Sequence, residues 1–377
     1  MVRKWLAVVM TAALLMCGAG NLPCAAAPGL SSLSAVVYEP TTGTVVYEKD
    51  AYTPRPMAST TKLMTALLAA ESGDLSRDIT VTAEAVAVEG SALGLRAGDR
   101  ISMRDLITGL LLSSGNDAAN TIALAVDGSL EKFAERMNRR AAAIGMTHSC
   151  FVTPSGLDAE GHAACAYDMA LLGAEVLRNP TLAAICASKT ATIQMGNPKR
   201  TVTIANHNRL LSLYADAIGM KTGFTKKSGR CLVSAARRNG VTLIVVTLNG
   251  GDYWNDHMAL YEYAFPKWQS VTPELPELPS LPVAGGVSPH IGLTAKQPEA
   301  LTLPAEKQLQ TTVELPRFLL APLLAGETVG EICWSLDGQV VCRVPIKTAY
   351  AVEARPVAGY GERWRRAWTA LWMALFG

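Results

Sequence analysis

Residues 59–71 read STTKLMTALLAAE, with a serine three residues before a lysine at the start of a Leu-, Ala- and Met-rich stretch. Such a stretch opened by Ser-Thr-Thr predicts a helix. Residues three apart on a helix share a face, with Cβ atoms ~5–6 Å apart, so the Lys62 amine can reach the Ser59 hydroxyl. The pattern alone is weak, because SLEK at residues 129–132 matches it too. That second match follows Asp127-Gly128 and predicts a helix start with surface charges.

Two further short motifs occur once each in the chain, SGN at residues 114–116 and KTG at residues 221–223. Alone, the first is typical of a helix end, since Gly and Asn commonly terminate helices. The second alone is typical of a solvated lysine on an edge strand. Taken together and in this order, S-x-x-K, S-x-N and K-T-G are the motif set of active-site serine penicillin-interacting enzymes.

The sequence resembles that family, and more narrowly the low-molecular-mass penicillin-binding proteins that are serine-type D-alanyl-D-alanine carboxypeptidases. The resemblance covers residues 34–265 and includes SSGNDAAN at 113–120, PSGLD at 154–158 and KTGFT at 221–225. It implies removal of the terminal D-alanine from peptidoglycan stem peptides, in cell-wall maturation. It also implies that β-lactams act as covalent inhibitors. The reaction of this family needs neither a cofactor nor a metal.

The resemblance also implies a role for each matching residue. Ser59 would be the nucleophile that forms an acyl-enzyme. Lys62 would be its general base, which requires a neutral amine. Burial and the nearby Lys221 cation would both lower the pKa of Lys62. Ser114 would relay a proton to the leaving group, and Asn116 would orient Lys62 and the substrate amide. Lys221 and Thr222, in the KTG motif that Gly223 completes, would bind the substrate carboxylate. The backbone N–H groups of Ser59 and Phe224 would form the oxyanion hole.

The chain departs from the family pattern at one substrate-binding position. Some members carry an arginine shortly after a Gly-Gly pair, where it assists carboxylate binding. Here Gly250-Gly251 is followed by DYWNDH at residues 252–257, without an arginine. His257 could substitute, but a structural histidine is the preferred interpretation.

Three alternative functions stay open. A D,D-endopeptidase that acts on cross-links carries the same motifs. A weak β-lactamase is disfavoured, because the chain has no Glu-x-x-Leu-Asn segment of the kind that class A enzymes use for deacylation. A non-catalytic wall-binding protein has no physical reason to keep Ser59, Lys62, Ser114, Asn116 and Lys221 together.

The net charge of +2 indicates no nucleic-acid partner.

The apolar pattern predicts an α+β fold. Residues 35–38 and 44–47 read as one hairpin. Residues 231–236 and 241–248 flank the Asn239-Gly240 turn and predict another. Helical segments lie between these strands, so an antiparallel sheet covered by helices is expected, as in the penicillin-binding and β-lactamase-like catalytic domain.

The expected domain organisation follows composition along the chain. Prolines cluster between residues 266 and 289, where they disfavour helix and central strand. The order is a signal peptide at 1–26, the catalytic domain at 27–268, a Pro-rich linker at 269–287, a small all-β domain at 288–355 and an amphipathic membrane-anchor helix at 356–377.

Both ends of the chain carry localisation signals. Arg3 and Lys4 precede an apolar run at 5–19 and a cleavage region of small residues at 23–27, and this order predicts export. Cleavage after Ala26 is expected, with an uncleaved anchor as the alternative. At the other end, one helical face would carry Trp364, Trp368, Leu371, Trp372 and Leu375, near arginines at 363, 365 and 366. This pattern is typical of an interfacial helix, so we expect a location at the outer face of the cytoplasmic membrane, in the cell-wall space. A helix packed on the β domain is the alternative.

The cysteines offer one disulfide candidate. Residues 332–336 and 339–342 flank Asp337-Gly338 and predict a hairpin with a two-residue turn. Counting outward from the turn pairs Cys333 with Cys342 at a Cα distance of ~4.5 Å, at the near edge of the disulfide range. No metal-ligand spacing relates the remaining mature cysteines, which are expected to be buried thiols: Cys150, Cys165, Cys186 and Cys231.

Overall fold

The computed structural model describes residues 26–356, together with Gly359, Gly361, Trp364, Arg365, Ala367, Trp368, Leu371 and Trp372. Residues 1–25 of the expected signal peptide lie outside this described part, so the signal and its cleavage stay predictions.

The catalytic part of the chain contains both helices and strands, with five consecutive helices between the fourth and fifth strands. The helices are α1 (Lys62–Glu71), α2 (Ala83–Val86), α3 (Met103–Leu112), α4 (Asn116–Asp127), α5 (Leu130–Ile144), α6 (Ala166–Arg178), α7 (Pro180–Ala187), α8 (Leu210–Leu213) and α9 (Tyr253–Ala264). The strands of this part are β1 (Ser34–Glu39), β2 (Thr44–Lys49), β3 (Asp78–Thr80), β4 (Arg100–Ser102), β5 (Thr190–Gly196), β6 (Arg200–Ala205), β7 (Ala217–Thr225), β8 (Gly229–Arg238) and β9 (Val241–Gly250).

The central sheet has five antiparallel strands in the order β2-β1-β9-β8-β7. Both predicted hairpins, β1–β2 and β8–β9, are confirmed. Asn239 and Gly240 turn the second hairpin with φ values of 49° and 82°, which asparagine and glycine accept more readily than other residues. A smaller sheet in the order β3-β4-β5-β6 lies beside the helices.

The two faces of the central sheet are covered by different helices. Val36 and Val246 point into a core shared with α1, α3, α4 and α6. Ala35 and Val245 point to the opposite face, where Tyr261 of α9 packs. Successive residues of a strand alternate between faces, and both faces are buried here. The expected antiparallel sheet covered by helices is therefore confirmed.

The C-terminal part is built of strands, which confirms the expected all-β domain. These are β10 (Trp268–Val271), β11 (Leu281–Ala284), β12 (His290–Ile291), β13 (Leu293–Ala295), β14 (Leu301–Pro304), β15 (Gln310–Glu314), β16 (Leu319–Leu320), β17 (Thr328–Leu336) and β18 (Gln339–Thr348). They form sheets in the orders β13-β18-β17-β15, β12-β11-β16 and β10-β14.

The segment 269–287, expected to be a linker, contains most of β10 and all of β11. β10 pairs with β14, and β11 lies between β12 and β16. Strand β11 can contain Pro282 because both of its pairings are short. It pairs with β12 through Leu281 and Pro282, and with β16 through the two residues that follow. Within the expected linker, residues 272–280 are free of strand or helix.

The predicted Cys333–Cys342 disulfide is wrong. A bulge between Trp334 and Ser335 shifts the register of the β17–β18 hairpin, so that Cys342 lies opposite Trp334 and Cys333 lies opposite Arg343. Neighbouring residues of a strand point to opposite faces, so the two sulfur atoms lie on opposite faces of the sheet. Both cysteines are free thiols.

The prediction of buried thiols holds for Cys165, Cys186 and Cys231, but Cys150 is exposed. Cys150 lies in an isolated two-residue bridge with Ala163 at the surface, outside the helices and sheets.

The expected C-terminal amphipathic helix falls mostly on residues that the structure does not describe. Its described positions from Gly361 to Trp372 have helical backbone. Trp364, Trp368, Leu371 and Trp372 are 64%, 60%, 52% and 64% exposed. The amphipathic face expected for this helix stays a prediction, because it includes residues that the structure does not describe. Within the described residues, no helix has the length and apolar character needed to cross a membrane.

Candidate active site

Ser59 and Lys62 meet at the start of α1. Ser59 lies in a 3-10 turn, Ala58–Thr61, that leads directly into the helix. The Lys62 Nζ atom is 2.9 Å from the Ser59 Oγ atom. The predicted contact between the Ser59 hydroxyl and the Lys62 amine is therefore present, although the turn before the helix, not the helix itself, carries the serine.

Two more acceptors surround the Lys62 amine, which is fully buried. Its Nζ atom lies 2.7 Å from Asn116 Oδ1 and 2.5 Å from the carbonyl oxygen of Ser155. A charged ammonium would donate to all three oxygens. A neutral amine has two N–H groups and one lone pair, so it can donate to Asn116 and Ser155 and accept the proton of Ser59. The geometry suits both protonation states.

The environment of Lys62 favours the neutral amine. Burial lowers its pKa well below the usual value, and the Lys221 cation lowers it further, while Asp117 acts in the opposite direction. A lysine with a depressed pKa can act as a general base near neutral pH.

Lys221 lies on β7 and is also buried, at 1% exposed. Burial lowers its pKa to about 8, against the opposing influence of the Cys186 thiol. Its Nζ atom donates to the carbonyl oxygen of Thr222 at 3.0 Å. At neutral pH Lys221 is therefore mostly a cation, held close to Lys62.

Gly223 brings β7 against the turn that carries Ser59. A Cβ atom at Gly223 would lie 2.9 Å from the Met57 carbonyl oxygen and 3.0 Å from the backbone nitrogens of Ser59 and Thr60. Only glycine allows this approach of two backbones. The next residue, Phe224, is 63% exposed, with the Arg230 guanidinium 5.9 Å from its ring centroid.

The SGN motif connects α3 to α4. Ser114 is buried and has a φ of 61°, and Gly115 is the N-cap of α4. Asn116 holds its amide in place by donating through Nδ2 to the Glu89 carbonyl oxygen at 2.7 Å. The hydrogen bonds that join Ser59, Lys62 and Asn116 do not include Ser114.

Asp117, the residue after the motif, fixes a loop beside the site. Its carboxylate accepts the backbone N–H groups of Leu93, Gly94 and Leu95 at 2.8, 2.9 and 3.0 Å. The sequence motif included Asp117 without assigning it a role, so this function is a finding of the structure.

Ser155 is a further site residue whose role the sequence did not reveal. The following Gly156 has a φ of 82°, and a Cβ there would collide with the Ala58 carbonyl oxygen. This close approach places the Ser155 carbonyl beside Lys62. The PSGLD segment pointed to the region, but a backbone carbonyl has no residue-type signature.

His162 joins the same loop to the Ser59 turn. Its Nδ1 atom accepts from the Val152 backbone N–H at 2.9 Å, and its Nε2 atom lies 2.9 Å from Thr61 Oγ1. The Thr61 hydroxyl donates to the Ala58 carbonyl oxygen at 2.8 Å, so Nε2 must carry the proton. Burial lowers the pKa of His162 to about 4. Through Thr61, His162 holds the turn that carries Ser59.

Two expectations about other residues are confirmed. His257 is fully buried between Ser234 Oγ at 2.6 Å and Thr247 Oγ1 at 2.8 Å. Burial lowers its pKa to about 3, which makes it a structural histidine. Ser129, of the second S-x-x-K match, caps α5 by accepting from the Lys132 backbone N–H at 3.2 Å.

Comparison with known protein families gives a match for each of the two parts of the chain. A family described as D-alanyl-D-alanine carboxypeptidase matches residues 23–252. A second, described as penicillin-binding protein 5, C-terminal domain, matches residues 277–354.

Individual relatives cover nearly the whole chain. The D-alanyl-D-alanine carboxypeptidase DacF of Bacillus subtilis is 27% identical over 89% of this chain and 90% of its own length. The carboxypeptidase DacC of Escherichia coli is 32% identical over 87% of this chain and 86% of its own length. The crystal structure of penicillin-binding protein 5 from Haemophilus influenzae aligns at a TM-score of 0.64 and 26% identity, covering 86% of this chain and 98% of that one.

The fold, the two family matches and the extent of these alignments agree with each other. The chain belongs to the family of serine-type D-alanyl-D-alanine carboxypeptidases, with a penicillin-binding catalytic domain followed by an all-β C-terminal domain.

Proposed function

We propose that this enzyme removes the terminal D-alanine from peptidoglycan pentapeptide stems through an acyl-enzyme on Ser59. The observation that carries the proposal is the buried Lys62 amine, 2.9 Å from Ser59 Oγ and held by Asn116 and Ser155. Because burial and Lys221 lower its pKa, this amine can accept the serine proton.

In the first step, Ser59 Oγ forms a bond to the carbonyl carbon of the penultimate D-alanine, and its proton passes to Lys62 Nζ. The backbone N–H groups of Ser59 and Phe224 receive the developing oxyanion. Such donors are typically worth ~10²–10³ in rate each. The close contact of Gly223 with the Ser59 turn supports this pairing, because it brings the two backbones side by side.

The tetrahedral intermediate then expels the terminal D-alanine. Its nitrogen takes a proton from Lys62 through the Ser114 hydroxyl, and the C–N bond breaks. Lys221 and Thr222 bind the carboxylate of this leaving residue, and Asn116 orients Lys62 and the substrate amide. At a pKa of about 8, Lys221 is mostly charged at neutral pH, as carboxylate binding requires.

Water completes the cycle by attacking the acyl carbon, with Lys62 again accepting a proton and Ser59 leaving as a hydroxyl. A β-lactam presents a strained amide in place of the D-Ala-D-Ala bond and acylates Ser59 in the same way. The absence of a Glu-x-x-Leu-Asn segment from the sequence supports slow release of that adduct.

A direct test is D-alanine release from a D-Ala-D-Ala pentapeptide, with and without penicillin. We expect release by the wild type, inhibition by penicillin and no release by Ser59→Ala. A cross-linked peptide dimer serves as the second substrate. Cleavage of the dimer without release of free D-alanine from the pentapeptide would favour the endopeptidase alternative.

The same proposal includes export and attachment to the membrane surface. The basic N-terminus and apolar run of residues 3–19 support export, and the tryptophan- and arginine-rich tail supports surface attachment. Both would place the active site in the cell-wall space, where stem peptides are found.

A further inference from the structure

Three side chains outside the hydrogen-bonded group around Lys62 converge at the start of α6. His148 lies in the connection that follows α5, Cys165 is the N-cap of α6, and Asp168 lies in its first turn. One potential ligand atom from each, a ring nitrogen, the sulfur and a carboxylate oxygen, lies within 4.8 Å of the other two.

The Asp168 carboxylate is fully buried and only half satisfied. Its Oδ2 atom accepts the His148 backbone N–H and the Ser149 hydroxyl, each at 2.7 Å. Its Oδ1 atom is also buried and accepts no N–H or O–H group of the described residues, which leaves the Cys165 thiol, a weak donor, as the side chain that can hydrogen-bond to this carboxylate. The nearest cationic candidate, His148 Nδ1, is 4.0 Å away, too far for a hydrogen bond. A buried carboxylate oxygen that has only a thiol as donor is under-satisfied, so Oδ1 has capacity for a stronger partner.

The other two groups complete a set of mixed ligands. Cys165 is fully buried, and its Sγ atom accepts the Asp168 backbone N–H at 3.3 Å. Burial raises the pKa of this thiol to about 12, and the Asp168 carboxylate adds to the effect. The His148 side chain is 47% exposed, so the cluster opens to solvent on one side. Thr147 Oγ1, 3.1 Å from His148 Nδ1, is itself exposed and can turn to water.

We propose that His148 Nδ1, Cys165 Sγ and Asp168 Oδ1 form a binding site for a zinc-like divalent cation. One nitrogen, one sulfur and one carboxylate oxygen suit Zn²⁺, which takes four ligands in tetrahedral geometry. Water from the exposed side supplies the fourth ligand. On binding, a metal–sulfur bond forms, the Cys165 S–H bond breaks, and the proton passes to solvent.

The surroundings of the cluster match those of a metal site. The two hydrogen bonds to Asp168 Oδ2 hold the carboxylate with Oδ1 directed towards the cluster, as outer-shell contacts hold metal-ligating carboxylates. The cation would join the connection after α5 to the first turn of α6. This role is structural: none of the three proposed ligands contacts Lys62, although Ser155 and His162 lie in the segment between His148 and Cys165.

The test uses the full mature chain, stripped with a chelator and titrated with Zn²⁺, or with Co²⁺ as a spectroscopic probe. We expect one tightly bound ion per chain, release of about one proton from the thiol per ion, and a thiolate-to-Co²⁺ charge-transfer band. Thermal unfolding should shift to higher temperature with Zn²⁺, since the cation binds the folded state.

Cys165→Ser is the informative variant, because a serine oxygen still caps α6 but supplies no thiolate. It should lose the charge-transfer band and the proton release. Its affinity for Zn²⁺ should fall by more than the ~10–100-fold typical for loss of an outer-shell partner. D-alanine release should be unchanged. His148→Ala, at an exposed position, should weaken binding in the same way and gives a second variant if the first does not fold.

The matched control is Cys150→Ser, which removes an exposed thiol two residues from His148. It should keep the band, the stoichiometry and the thermal shift. Absence of stoichiometric binding in the wild type would overturn the proposal. So would a charge-transfer band that persists in Cys165→Ser or disappears in Cys150→Ser.

Discussion

At the residue scale, the proposed role of Ser59 as nucleophile depends on the protonation state of Lys62. Two nearby charges compete, since Lys221 disfavours the ammonium and Asp117 favours it. The Asp117 carboxylate already accepts several backbone N–H groups, which stabilise its charge locally. Burial of the lysine is the largest influence, and the net result is a pKa well below the usual value. Asp117 is thus better suited to holding the neighbouring loop than to keeping Lys62 charged.

The two lysines predict opposite limbs of the pH profile. Lys62 must be neutral to act as a base, so kcat/KM should fall as pH decreases through its lowered pKa. Lys221 must be charged to bind a carboxylate, so kcat/KM should also fall as pH rises through about 8. In Lys221→Arg the guanidinium stays charged. The alkaline limb near pH 8 should disappear while the acid limb remains.

The measurement is kcat/KM for D-alanine release as a function of pH, with Lys132→Arg as the control at an exposed position of α5. An alkaline limb that is unchanged in Lys221→Arg would assign that limb to another group.

The meeting of Ser59, Lys62 and Asn116 could be predicted from sequence, but the backbone contribution to the site could not. Ser59, Lys62 and Asn116 are recognisable because their residue types recur in spaced motifs. The Ser155 carbonyl is a property of every residue, and only the fold brings it to Lys62. His162 acts through Thr61, so no pattern of adjacent residues identifies it.

At the scale of elements, the site depends on the close approach of β7 to the turn before α1. Gly223 permits this approach because a side chain there would meet the backbone at Met57, Ser59 and Thr60. Apolar runs on either side of turn residues predicted both hairpins of the central sheet. The predicted register of the β17–β18 hairpin is wrong because a bulge adds one residue, Val341, between the partners of Trp334 and Ser335. No residue type at this position signals a bulge.

Gly223→Ala should impair acylation far more than folding. Overpacking of this kind costs about 1–3 kcal/mol, and relief of the clash would displace the Ser59 and Phe224 backbones. We expect acylation by penicillin to slow by more than about tenfold, since 1.4 kcal/mol corresponds to a factor of ten. Rates can be followed with a fluorescent penicillin.

Gly251→Ala is the control for this substitution, because a Cβ there meets only the Ser31 side chain at 3.8 Å or beyond. Equal rates for the wild type and Gly223→Ala would contradict the proposed role of this contact.

At the scale of the whole molecule, we propose that the catalytic domain carries the chemistry and that the C-terminal tail sets the location. The β domain separates the catalytic domain from the tail, whose described tryptophans are largely exposed. Composition predicted both the small β domain and the proline-rich junction. It could not predict that β10 and β11 fall within that junction, because their pairing partners lie farther along the chain.

Deletion of residues 360–377 should release the mature protein from membranes without loss of peptide hydrolysis. Each large apolar side chain that is fully buried contributes roughly 1.5–3 kcal/mol. Each arginine near an anionic surface adds about 1 kcal/mol. Flotation with anionic liposomes compares the full-length and truncated forms. If the truncated protein floats equally well, the anchor lies elsewhere, with an uncleaved N-terminal segment as the first candidate.

The central claim is that Ser59 is acylated with Lys62 as its base, and intact-mass analysis after penicillin treatment tests it most directly. The wild type should gain the mass of one penicillin, and Ser59→Ala should gain none. Lys62→Ala should react about 10²–10⁴-fold more slowly, the usual contribution of a general base. Lys132→Ala, in the second S-x-x-K match, should react at the wild-type rate. An adduct that persists in Ser59→Ala, or an equal loss of rate in the two lysine variants, would contradict the account.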